Sequence, residues 1–180
     1  MTNKKKYELT ADVKLNVFGV KLFRIKALVS FGSIEAGELG GYIEKEENLK
    51  QSGDAWVSGN ARVYGDAWVF GNAEVFGDAE VYGNARVSGD AEVYGNAEVS
   101  KKTHLLQIGF IGSRESIATF FRTKLNQISV SCGCFIGTVD EFETAVEHSH
   151  KGTKHEITYK LAIQLAKAQL ELEGEETQNA

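Results

Sequence analysis

Apolar and polar positions recur with a period of six across residues 53–100. The stretch reads GDAWVS GNARVY GDAWVF GNAEVF GDAEVY GNARVS GDAEVY GNAEVS, eight hexads without an insertion. Ala and Val stand two residues apart in each hexad, so both side chains point to the same side of a short strand. Gly followed by Asp or Asn suits a corner. The pattern predicts a parallel β-helix whose interior holds the Ala and Val side chains.

The second position of each hexad indicates how many hexads make one coil. Coils of two hexads would stack carboxylate on carboxylate about 4.8 Å apart, whereas coils of three alternate carboxylate with amide. We therefore predict triangular coils of three hexads. The alternation is strict: Asp54, Asn60, Asp66, Asn72, Asp78, Asn84, Asp90 and Asn96.

The N-terminal flank predicts a cap for one end of the coils. Val13–Val17 and Val20–Ile25 alternate around Phe18-Gly19, which is typical of a β-hairpin, and a solenoid needs its open end covered. We assign residues 1–30 to this cap, with Lys4–Lys6 as a solvated tail. Residues 31–100 are then the β-helix, beginning with an irregular coil over 31–52.

After Ser100 the period stops, and residues 101–172 predict a small α+β module. A capping box at Thr138 and Glu141 opens a first helix. A second helix, about 155–172, is apolar on two sides, so one face packs on the sheet and the other on the prism or another subunit. Residues 173–180 are polar and predicted to be disordered. Alternation predicts three strands: Leu106–Phe110, Thr119–Phe121 and Ile128–Cys134.

Composition excludes some partners. The net charge is −5, and the hexads carry two Arg against eight acids, which argues against a nucleic-acid partner. No stretch approaches the roughly 20 apolar residues of a membrane span. Two cysteines and no secretory signal fit a reducing cytoplasm.

Several large side chains stand at hexad positions that should face outward. Exposed aromatic rows exceed what a monomer usually shows, so these rows predict either side-chain ladders with an oligomer interface or a stacking platform for a planar ligand. They are Trp56, Arg62, Tyr64, Trp68, Phe70, Tyr82 and Arg86.

Two short motifs of the C-terminal module offer chemistry. Gly112-Ser113-Arg114 is either an ordinary turn or an anion-binding loop, since Arg presents a bidentate fork to carboxylate or phosphate. Cys132 and Cys134 fall in register with Ile128 and Val130, which predicts two small hydrophobes on one strand face. A zinc site with His148 or His150 is the alternative.

The Val-x-Gly-Asn-Ala-x-Val spacing resembles the hexapeptide repeat of left-handed parallel β-helix proteins. That resemblance implies a left-handed coil and a homotrimer. The acyltransferases and carbonic anhydrases of this group use His from the coils, as base or metal ligand. Here His104, His148, His150 and His155 all lie outside the hexads, so we expect no catalytic residue, no metal and no cofactor.

The whole chain also resembles a group of phage and prophage proteins. The likeness lies in Leu22–Leu28, Leu39–Ile43, the hexads, Ile111–Arg114 and Cys132–Gly137. It implies expression in the cytoplasm of a bacterial host. It also directs attention to Ser113, Arg114, Cys134 and Phe135, with His148 beyond them, as ligand-binding residues.

The fold class expected is therefore mainly β: a left-handed parallel β-helix with an N-terminal β-hairpin cap and a small C-terminal α+β module. The function expected is non-catalytic binding by an oligomer, of a small anionic ligand such as a nucleotide signal of host defence, or of a host protein. An acyltransferase-like enzyme, needing His104 or His148 in an intersubunit cleft, and a structural virion or assembly component are the alternatives.

Overall fold

The computed structural model describes residues 5–170 and begins with an antiparallel cap. Strand β1 (Tyr7–Leu15) pairs with β2 (Lys21–Ala27), and β2 pairs with β3 (Leu39–Ile43). The Asn16 side-chain oxygen closes the hairpin by accepting the backbone N–H groups of Phe18 and Val20, both at 2.9 Å. The predicted hairpin and its Phe18-Gly19 turn are confirmed, although β1 begins six residues earlier than the apolar alternation indicated.

The hexads form a three-sided parallel β-solenoid. Each strand pairs in parallel with the strand 18 residues later, as Arg62 does with Glu80 and Trp68 with Arg86. Three hexads per coil are thereby confirmed; the left-handed sense stays a prediction. Eight two-residue strands make the coils: β4 (Trp56–Val57), β5 (Arg62–Val63), β6 (Trp68–Val69), β7 (Glu74–Val75), β8 (Glu80–Val81), β9 (Arg86–Val87), β10 (Glu92–Val93) and β11 (Glu98–Val99).

The interior and the corners follow from residue type. Every Ala and Val of the hexads is at most 2 % exposed. The corner glycines have φ between +61° and +77°, a range that L side chains rarely adopt. At the corners the Asn60 amide donates to Asp78 at 3.3 Å and the Asn72 amide to Asp90 at 2.9 Å, so alternation replaces carboxylate repulsion by a hydrogen bond.

Side chains from the flanking segments close both ends of the prism. At the start, Ile43 and Leu49 continue the interior columns, and the buried Tyr7 hydroxyl donates to the Leu49 carbonyl at 2.6 Å. Lys6 is also buried there, and its ammonium donates to the Ala55 carbonyl at 2.8 Å, so it is not part of a solvated tail. At the other end the buried Phe121 joins the same apolar core.

The C-terminal module contains four antiparallel strands rather than the three predicted. They lie in the order β12 (Leu105–Ile111), β13 (Ser116–Arg122), β14 (Ile128–Cys132) and β15 (Phe135–Thr138). The predicted third strand, Ile128–Cys134, is wrong in its last part, because the chain turns at Gly133, whose φ is +61°, and pairs Phe135 back onto Cys132.

Two helices cover this sheet. Helix α1 (Val139–His150) begins at the predicted capping box, with the Thr138 hydroxyl accepting from the Glu141 N–H at 3.3 Å. Helix α2 (Lys154–Gln169) buries Tyr159, Ile163 and Ala166, among others, against α1 and the sheet. The prediction that this helix reaches residue 172 is wrong, because α2 ends at Gln169 and Leu170 is already extended; the predicted tail 173–180 lies outside the described residues. Within residues 5–170, no helix has the length and apolar character needed to cross a membrane.

Candidate functional site

A cleft of about 400 Å³ opens in the C-terminal module between two turns and two helices. The β12–β13 turn contributes Ser113 and Arg114, and the β14–β15 turn contributes Cys134. Helices α1 and α2 supply His150 and Tyr159 from the other side. The cleft therefore has polar turn residues on one side and the rings of His150 and Tyr159 on the other.

Gly112 and Tyr159 hold the β12–β13 turn in place. Gly112 has φ +77°, and any Cβ at this position would overlap the Tyr159 hydroxyl. That hydroxyl also hydrogen-bonds the thiol of Cys132. Burial, and then the neighbouring thiol, raises the pKa of Tyr159 to about 12, so it stays a hydrogen-bond donor at neutral pH.

Arg114 is the cationic group of the cleft. Its guanidinium donates to the Cys134 sulfur at 3.4 Å and is exposed to solvent. Within residues 5–170 no carboxylate forms an ion pair with it. A thiol is a weak acceptor, so the planar fork keeps most of its capacity for an anion.

Aromatic rings form the base of the cleft. The Phe135 and Phe142 centroids are 4.9 Å apart, and the Tyr159 ring stands 5.4 Å from both Phe142 and His150. Four rings from β15, α1 and α2 thus meet in one place, which suits the face of a planar apolar group.

The structure brings four of the five predicted ligand residues into this cleft: Ser113, Arg114, Cys134 and Phe135. His148 does not line it and is exposed on α1. His150 takes that place because it follows Phe142 and Val146 at helical spacing of four residues, whereas His148 points about 200° away from Val146 around the helix. The spacing of Phe142, Val146 and His150 is the sequence signal that identifies which histidine lines the cleft.

The two cysteines differ in environment. Cys132 is 8 % exposed, and its burial raises the pKa of the thiol. Cys134 lies in the β14–β15 turn and is exposed. The prediction that both lie on one strand face is wrong, because the turn separates them. Within residues 5–170, no three His, Cys, Asp or Glu side chains come together as a metal site would require.

The side chains of the predicted outward rows of the solenoid pack largely against other side chains of the same chain. Trp56 is 3 % exposed under Phe31 and Tyr7, so its assignment to an outer surface is wrong. Tyr64 is also buried, and its ring stacks on Tyr82 at 5.0 Å. Tyr64 and Tyr82 therefore form a ladder and Trp56 is covered, so these side chains do not make a free stacking platform.

The remaining predicted row residues pair with their neighbours. Arg62 forms an ion pair with Glu80 at 3.3 Å. Trp68 packs on Phe70 with centroids 4.4 Å apart, and the Arg86 guanidinium lies 5.4 Å from the Trp68 ring centroid. Phe70 is half-buried, and Arg86 is the exposed member of this group.

The two histidines required by the enzymatic alternative differ in exposure and in surroundings. His104 is 2 % exposed, with Nδ1 3.3 Å from the Ser100 hydroxyl at the end of the solenoid. His148 is exposed on α1. Neither lines the cleft described above.

Two stretches of the solenoid, residues 55–71 and 79–95, match the family model described as YdcK Beta solenoid repeat. The chain is a β-solenoid protein. The match and the three-sided stacking agree on this fold, and the matched residues lie outside the C-terminal module that holds the cleft. The comparison with curated proteins gave no match.

Proposed function

We propose that this protein is a non-catalytic binding protein whose cleft takes a small molecule with a planar ring and an anionic group. The observation that carries the proposal is the meeting of the Arg114 guanidinium with the ring-lined base of one cleft. A guanidinium fork matches phosphate or carboxylate, and the rings of Phe135 and His150 offer faces for stacking. A nucleotide combines both groups.

The setting follows from the resemblance to phage proteins. In the cytoplasm of a bacterial host, a phage-encoded protein that binds a nucleotide would remove a signal of host defence. The solenoid then acts as a rigid support for the cleft, and self-assembly multiplies the number of clefts per particle. The following experiment distinguishes a nucleotide ligand from a host protein as the ligand.

Isothermal titration with AMP, adenosine and inorganic phosphate tests the cleft. We expect AMP to bind more tightly than either fragment, because it alone engages both the rings and Arg114. Arg114→Ala should weaken AMP binding about 10- to 100-fold, the loss of one or two charge-assisted hydrogen bonds. Arg86→Ala, an exposed arginine of the solenoid, removes the same charge and should leave the affinity unchanged.

Cyclic dinucleotides are titrated in the same series, since they carry the same ring and phosphate groups. Equal weakening by Arg114→Ala and Arg86→Ala would mean that the anion is attracted by overall charge rather than by this cleft. If no nucleotide gives a binding signal in the titration, nucleotides are excluded as ligands and a protein ligand is favoured.

A further inference from the structure

Helix α2 has a second apolar face that nothing in residues 5–170 covers. Ile157, Leu161 and Leu165 are 65 %, 60 % and 49 % exposed. They follow one another at four-residue spacing, so they form one stripe along the helix. The opposite face, with Tyr159 and Ile163, is already buried in the module. We name Ile157, Leu161 and Leu165 the α2 stripe.

We propose that the α2 stripe packs against the α2 stripe of a second copy of this chain, antiparallel, with a two-fold axis at Leu161. The pairing specifies the self-assembly in the proposed function and rests on it. In a two-fold interface each patch meets its own copy. Around this axis Leu161 faces itself and Ile157 faces Leu165, so every apolar side chain of the stripe meets an apolar one.

The polar flanks of the stripe are also self-complementary in this arrangement. Thr158 comes opposite Gln164, two neutral side chains that can hydrogen-bond. Lys154, at the start of α2, comes beside Ala168 near the carboxyl end of the other helix, where the helix dipole favours a cation. A parallel arrangement would instead place Lys154 against Lys154. Charge therefore selects the antiparallel pair.

The segment next along the chain is a poor alternative cover. The ten residues after Leu170 hold four Glu and a single large apolar side chain, Leu172. One apolar side chain cannot cover the three side chains of the α2 stripe. Because three side chains per copy make a small interface, we expect reversible association with a Kd on the order of 10 µM.

Sedimentation velocity of the full chain over a wide concentration range tests the pairing. We expect a monomer that becomes a dimer as concentration rises, and Leu161→Glu should raise the Kd at least ~10-fold, since it places two carboxylates on the axis. Leu125→Glu is the matched control, because Leu125 is 68 % exposed in the β13–β14 turn. This variant should dimerise like the parent protein. A monomer at every concentration, or a trimer, would overturn the proposal.

Disulfide trapping in a Cys134→Ser background tests the direction of the helices. Leu161→Cys should give a covalent dimer on oxidation. Ile157→Cys should not link to itself, because the two positions lie ~12 Å apart along the helices, but it should link when mixed with Leu165→Cys. Self-linking of Ile157→Cys would indicate parallel helices and contradict the axis.

Measuring both dimerisation and AMP binding of the parent protein separates this inference from the cleft proposal. If the parent protein never dimerises but binds AMP, the pairing fails and the cleft stands. If it dimerises as described but binds no nucleotide, the cleft proposal fails and the pairing stands.

Discussion

The hydroxyl of Tyr94 lies 3.0 Å from the backbone carbonyl oxygen of Val130, and this contact joins the last coil of the solenoid to the C-terminal sheet. The same hydroxyl is 3.2 Å from the Gly137 carbonyl, and the ring meets Phe121 edge-on at 5.0 Å. Burial raises the pKa of Tyr94 to about 12, so the hydroxyl remains a donor at neutral pH. One side chain thus ties β14 and β15 to the prism.

Tyr94→Phe should lower the free energy of unfolding by about 1–2 kcal/mol, because the Val130 and Gly137 carbonyls lose a donor that water cannot easily replace. Urea unfolding followed by circular dichroism measures it. Tyr82→Phe is the control: its hydroxyl donates to the partly exposed Glu98 at 2.9 Å within the solenoid, where water can substitute. An equal loss in both variants would contradict a special role for the Tyr94 contact.

Gly83 and Gly95 separate backbone strain from crowding between coils. Their φ angles are +61° and +62°, so alanine strains both alike, by about 1 kcal/mol. A Cβ at Gly83 would also overlap the Ser100 carbonyl oxygen, whereas Gly95 has nothing within 4 Å. We expect Gly83→Ala to cost about 1–3 kcal/mol more than Gly95→Ala, measured by thermal unfolding. Equal losses would show that the coils move apart freely.

Acid should destabilise the protein partly through Glu80. Burial would raise the pKa of this carboxyl, but hydrogen bonds from Lys124 at 2.7 Å and Tyr64 at 3.0 Å, with the nearby Arg62, hold it below the usual 4.5. The stabilisation is therefore present above pH 4.5 and is lost as pH falls through the lower folded-state pKa. Glu80→Gln should cost about 1–2 kcal/mol at pH 7 and flatten the acid limb of a stability–pH curve.

Glu74 is the matched comparison within the same solenoid. Glu74 is exposed, but partial desolvation, and then the like charge of Glu92 on the next coil, raises its pKa. A raised folded-state pKa means that ionisation opposes folding, so stability is lost as pH rises through that pKa. Glu74→Gln should therefore leave stability at pH 7 unchanged or higher, in contrast to Glu80→Gln. A loss in both variants would argue that the amide itself disturbs the coils.

The two cysteines should differ in alkylation rate. Cys134 is exposed, while Cys132 is buried with a raised pKa, and the thiolate is the reactive form. Iodoacetamide at neutral pH, followed by peptide mass spectrometry, should modify Cys134 at least ~10-fold faster. In urea the rates should converge. Equal rates in the folded protein would contradict the turn that separates the two residues.

The candidate site could be predicted in part. Ser113 and Arg114 were identifiable because Gly112 marks a turn and Arg is the anion-binding side chain. Tyr159 lies within the predicted second helix, and no local signal shows that its hydroxyl would close over Gly112, some 47 residues away. Cys134 was placed on a strand because alternation continues through Gly133, and a two-residue turn leaves no polar interruption to mark it.

The sequence by itself determined the solenoid, since each hexad carries its own interior pair, its own corner and a partner 18 residues away of the same kind. Because the hexads repeat, the contact between neighbouring coils can be predicted from a local sequence pattern. Only the tertiary structure decided which outer positions stay exposed. Trp56 and Lys6 are buried because Phe31 and the end of the prism cover them, and such contacts join segments with no shared period.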